Sequence, residues 1–66
     1  FDKNKFKYYV AVRNKTLGDV AEYLGVSNST LTRKINGESD FYRSEIQGVA
    51  ALLSLSQEQV SEIFFK

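Results

Sequence analysis

Asn28, Ser29, Thr32 and Arg33 stand at i, i+1, i+4 and i+5 in the stretch VSNSTLTRKIN. On a helix that spacing makes one stripe. Leu31 and Ile35, four residues apart, take the opposite edge. The four polar side chains have chemistry suited to the edges of nucleic-acid bases. Arg matches guanine O6 and N7 with two parallel bonds, Asn pairs with adenine, and Ser or Thr bonds several bases or touches a thymine methyl. Short side chains at 28 and 29 also let the helix N-terminus approach a phosphate. The competing reading of Arg33 alone is a solvated surface arginine.

Such a stripe needs a scaffold, and apolar periodicity predicts five short helices and no strand. Asp2 caps the first, on which Phe6, Tyr9, Val10 and Arg13 share a face, and Asn14-Lys15 ends it. Thr16-Leu17-Gly18-Asp19 is a capping-box start for a second helix, whose inner face is Val20, Ala21 and Leu24. Gly25 stops that helix in the left-handed conformation. Ser27 caps the third helix, expected from Asn28 to Asn36, with Asn36-Gly37 closing it. Small Ala21 lets the second and third helices meet closely, and Val26 and Leu31 fill the angle between them. The polar loop Glu38-Ser39-Asp40 leads to Phe41, expected to fold back on the core. Ile46, Val49, Ala50 and Leu53 mark an amphipathic fourth helix, and Ser54-Leu55-Ser56 breaks it. Ser56 and Gln59 form another capping box, opening a fifth helix with Val60, Ile63 and Phe64 inward. The expected core joins these apolar residues with Ile35, Phe41 and Leu55.

The chain has 66 residues, no cysteine and no histidine. One domain over 1–66 is expected, without disulfide, metal or cofactor. With no His, no Cys and no paired carboxylates beside a nucleophile, an enzyme is not expected. No apolar run approaches membrane-spanning length and no signal-peptide pattern occurs. The expectation is a soluble protein of the cytoplasm, with no membrane partner and no small-molecule ligand. The chain starts at Phe1 without an initiator Met, which suggests a trimmed or partly disordered N-terminus rather than a secreted one. Net charge is only +1, but it is unevenly spread. Residues 1–34 carry Lys3, Lys5, Lys7, Arg13, Lys15, Arg33 and Lys34 against Asp2, Asp19 and Glu22, which is +4. Residues 35–66 carry Arg43 and Lys66 against Glu38, Asp40, Glu45, Glu58 and Glu62, which is −3. One end can meet a polyanion, although chance scatter of surface charge explains the numbers equally well.

The stretch TLGDVAEYLGVSNSTLTRKING, followed by FYRSEI and VAALLSLS, resembles the phage Cro and repressor class of helix-turn-helix proteins, the XRE-like family. The family pattern of aliphatic, Ala, three residues, Gly and aliphatic is met by Val20, Ala21, Gly25 and Val26, and Leu31 fills its next apolar position. Lys34 departs from the pattern, standing where the family usually has an aliphatic residue; Ile35 takes that role one step later. The resemblance implies an all-α, five-helix, lambda-repressor-like domain that binds operator DNA in a bacterial host cell and regulates transcription. It assigns base contacts to Asn28, Ser29, Thr32 and Arg33. It assigns phosphate contacts to Thr16, the Leu17 backbone amide, Asn36, Gly37, Ser39, Arg43 and the Tyr42 phenol, with added charge from Lys15 and Lys34. For Arg43 an ion pair with acids near Glu45 is nearly as good an alternative, and Asn36-Gly37 is more often just a helix terminus, its phosphate role resting on the resemblance alone.

Proteins of this kind usually occupy two half-sites, so a homodimer on DNA is expected. The fifth helix is its expected surface, through Phe65, Phe64 and Glu62. A rival from another class is a small helix-turn-helix relative that binds another phage regulator and modulates it. The weak net charge and the largely uncharged third helix favour that rival.

Overall fold

The computed structural model describes residues 1–65; Lys66 lies outside them. It has five helices: α1 (Lys3–Val12), α2 (Leu17–Leu24), α3 (Asn28–Ile35), α4 (Arg43–Leu53) and α5 (Gln57–Phe64), with no strand among the described residues. Local signals set most of the boundaries. Asp2 accepts the Lys5 N–H at 3.0 Å and starts α1. Thr16 Oγ1 accepts the Asp19 N–H at 3.0 Å while Asp19 Oδ2 accepts the Thr16 N–H at 2.8 Å, so the shorter acid still completes the box. Gly25, at φ 72°, ends α2 in the left-handed region. Ser56 and Gln59 exchange the same pair of bonds at the start of α5.

The radius of gyration is 10.5 Å, against about 11 Å for a compact chain of this length, so the helices close on one core. Phe6, Val10, Val20, Ala21, Leu31, Ile35, Val49, Leu53 and Ile63 are buried there. Leu24, Val26, Phe41, Ile46, Leu55, Val60 and Phe64 are half-buried rather than enclosed. α2 packs on both α3 and α4, while α5 packs on α1 and α4. The α2–α4 crossing is tight at Gly48, where a Cβ would stand 2.8 Å from Leu24 Cδ2. Arg13 turns its Nε to the Leu53 carbonyl at 2.8 Å, placing a cation on the last turn of α4.

Four phenylalanines tie the chain ends to the middle. The rings of Phe1, Phe6, Phe41 and Phe64 all lie within 6.5 Å of one another, centroid to centroid. The Asp2 N–H donates to the Ile63 carbonyl at 2.7 Å, meeting an acceptor that the end of α5 leaves without a helical partner. Phe41 therefore folds back as expected. Phe64, assigned also to a dimer surface, has its ring in this cluster.

Ala21 is 2% exposed at the α2–α3 corner. Ala21→Leu is expected to overpack that corner, at a cost of about 1–3 kcal/mol. A thermal melt checks this: the midpoint should fall by roughly 5 °C or more, and an unchanged midpoint contradicts the tight corner.

Candidate nucleic-acid interface

α3 is short, and its two edges differ sharply. Leu31, Lys34 and Ile35 are buried, whereas Asn28, Ser29, Thr32 and Arg33 are all exposed. The stripe therefore faces outward as a unit. Ser27 holds its first turn: the hydroxyl accepts the Thr30 N–H at 3.1 Å and donates to Thr30 Oγ1 at 2.9 Å. Thr30 is thereby drawn into the cap, half-buried and off the stripe.

The start of α2 abuts the start of α3. A Cβ built at Gly18 would lie 3.6 Å from Thr16 Oγ1 and 3.9 Å from Asn28 Oδ1. Thr16, proposed for a phosphate, is thus near Asn28, proposed for a base. Lys15 and Thr16 are exposed and Leu17 is half-buried. The Leu17 amide, first in α2, has no partner within its helix. The Thr16 amide is already held by Asp19, leaving its hydroxyl hydrogen for an outside acceptor.

After α3, Asn36, Gly37, Ser39, Tyr42 and Arg43 are all exposed, Tyr42 at 67%. Arg43 and Arg33 have no ion pair among the described residues. Of the two readings of Arg43, the pairing with a nearby acid is not made, because Glu45 is engaged elsewhere.

Its partner is Lys34, and here the sequence reading needs correction. Lys34 was assigned added charge toward phosphate, but it is 4% exposed. Its Nζ lies 3.0 Å from Glu45 Oε1, donates to the Asp40 carbonyl at 2.8 Å, and sits 4.4 Å from the centre of the Tyr42 ring. Three donors thus have three partners. Glu45 Oε1 also accepts the Tyr42 N–H at 2.8 Å, capping α4. Ile35 does not replace Lys34 on the inner edge; both are inside. The signal is in the sequence, since Leu31, Lys34 and Ile35 fall at i, i+3 and i+4, and at Lys34 that spacing prevails over charge. Glu45, one turn before Val49, was missed in the same way.

On α5, Glu62 pairs with Lys5 at 3.4 Å, both side chains about 40% exposed; a pair this wet contributes little. Phe65 is 68% exposed. It borders an open groove of about 800 Å³ whose apolar lining is Phe41, Ile46, Ala50, Leu55 and Val60. No helix among the described residues is long and apolar enough to cross a membrane. Among them, no group of three or more His, Cys, Asp or Glu is placed to hold a metal ion.

No family model, curated protein or solved structure matches this chain.

The buried pair sets a stability test. Glu45→Ala leaves an uncompensated ammonium in the interior, at a cost of about 3–5 kcal/mol, much of the roughly 3–10 kcal/mol that holds a domain of this size. Lys34→Met/Glu45→Gln buries no charge and keeps the acceptor for the Tyr42 N–H, so its loss should be near 1 kcal/mol. Urea unfolding of both variants checks the contrast; equal losses contradict a buried pair.

Proposed function

We propose that the chain is a sequence-specific DNA-binding regulator of the phage repressor and Cro type. In this reading α2 and α3 are the helix-turn-helix of a lambda-repressor-like domain, and α3 lies in the major groove of an operator. The observation that carries it is the outward stripe of Asn28, Ser29, Thr32 and Arg33 on a helix held only by its other edge. Base-edge chemistry is concentrated where the scaffold leaves a helix face free. The adjacency of Thr16, Gly18 and Asn28 supports it further, because one docking pose can then bring a phosphate to the start of α2 and a base to the start of α3. Lys15, Thr16, the Leu17 amide, Asn36, Gly37, Ser39, Tyr42 and Arg43 form the phosphate set; Lys34 leaves it.

The charge available is thin. Lys15 and Arg43 are the exposed cations of that set. Two copies then neutralise about four phosphates, and the log–log salt slope should be near −4. A monomer with half that number would bind weakly, which favours a two-fold pair of chains. Exposed Phe65 and the groove beside it are the surface that a second copy would cover.

The modulator reading keeps one specific support: the stripe carries a single cation, Arg33, and Lys34, buried against Glu45, adds no charge beside it. Selection from random duplexes separates the two. The DNA reading expects a near-palindromic site with half-sites roughly 34 Å apart and affinity falling about 10²-fold between 50 and 200 mM salt. No enriched sequence would put the protein-docking reading ahead.

Two substitutions test the assignment of roles. Arg33→Ala should lose about 1–3 kcal/mol of discrimination at one base pair per half-site. Arg43→Ala should weaken all duplexes alike and reduce the salt slope by about one per contact. Equal, sequence-independent losses would show that Arg33 reads no base. Phe65→Ala should weaken pairing while leaving the monomer folded. Sedimentation checks this, and an unaltered dimer, or a monomer on one half-site before mutation, contradicts it.

A further inference from the structure

The buried ammonium of Lys34 has no role in the proposed DNA contacts, yet its geometry joins their two halves. Lys34 projects from the last turn of α3, the helix that carries the base-facing stripe. Its partners all belong to the segment entering α4: the Asp40 carbonyl, the Tyr42 ring and Glu45, whose carboxylate also holds the Tyr42 amide. Asp40 to Tyr42 is thus fastened to α3 by a charged, directional network. Phe41 anchors the same segment through its ring, but on the aromatic cluster and therefore against α1 and α5. Among the described residues the Lys34 ammonium, which also lies 6.0 Å from the centre of the Phe41 ring, fixes the segment relative to α3 itself at its polar side.

We infer that Lys34 is a positioning residue: its buried ammonium sets where Tyr42 and Arg43 stand relative to the stripe Asn28, Ser29, Thr32 and Arg33, so that phosphate and base contacts form in one register. The inference rests on the DNA reading above. An aliphatic residue at 34 fills the same space but fixes no direction, since apolar contact is not directional, whereas a hydrogen bond, an ion pair and a ring-face contact together fix both distance and angle. The charge itself adds nothing to DNA attraction, because Glu45 cancels it in place.

The test uses the whole chain and the duplex selected for it. Lys34→Met/Glu45→Gln removes the fastening, keeps the cap on Tyr42 and leaves the Phe41 anchor, so it is expected to fold. Binding is measured well below the melting midpoint, at several salt concentrations, on the selected duplex and on a shuffled one. The expected result is a uniform loss on both duplexes, unchanged base preference and a salt slope smaller by about one per protomer. Adding Arg43→Ala to this variant should cost far less than in the wild type, because the contact it removes is already displaced. A folded double variant with wild-type affinity and slope overturns the inference and leaves the DNA reading standing. So does a loss from Arg43→Ala that is fully additive. A wild-type chain that binds no duplex overturns both.

Discussion

Eight residues are too few for a helix to persist in water on its own, and α3 is eight residues long with a mostly polar sequence. It exists because Leu31 and Ile35 are buried and Lys34 is bound on the same edge. The rest of the chain supplies what those three residues need. Ala21 at the corner lets α2 come close, Gly25 makes the turn, and Gly48 brings α4 under α2. The four-ring cluster ties α1 and α5 to the segment after α3, where the Phe41 ring lies 6.0 Å from Lys34 Nζ. A helix fixed along one edge in this way can present the other edge entirely to an outside partner without loss of stability.

A buried ion pair is an unusual way to hold such an edge in a small domain. Apolar replacement is generally no worse for stability, so the pair at Lys34 and Glu45 fits a need for direction more than for strength. It also removes one cation from the surface. The exposed cations, Arg33 on the stripe with Lys15 and Arg43 in the proposed phosphate set, are few for a nucleic-acid partner. If the proposed DNA reading holds, specific hydrogen bonds and pairing of two chains provide what bulk charge does not.

The helices were legible in the sequence because their signals are local. Thr16 with Asp19, Ser27, and Ser56 with Gln59 each announce a helix start within four residues, and each makes the bond expected of it. The exposed stripe was legible for the same reason, since spacing alone separates Asn28, Ser29, Thr32 and Arg33 from Leu31. What was not legible depends on distant partners. Phe1 gives no local hint that it meets Phe41 and Phe64. Gly48 carries no local sign of the Leu24 side chain that a Cβ there would meet at 2.8 Å. Arg13 lay on an inward face without an evident acceptor, which proved to be the end of α4. Lys34 was misplaced because a lysine is seldom buried unless paired, and its partner is on another helix.

The central claim is that the outward edge of α3 reads DNA bases. Titration of the labelled protein with its selected duplex, followed by NMR, tests that edge directly. The account expects the largest shifts at the amides and side chains of Asn28, Ser29, Thr32 and Arg33, with contacts from the Arg33 guanidinium to a guanine edge and smaller shifts at Thr16, Leu17 and Arg43. Shifts confined to the groove between α4 and α5, with the α3 stripe unmoved at saturation, would contradict it.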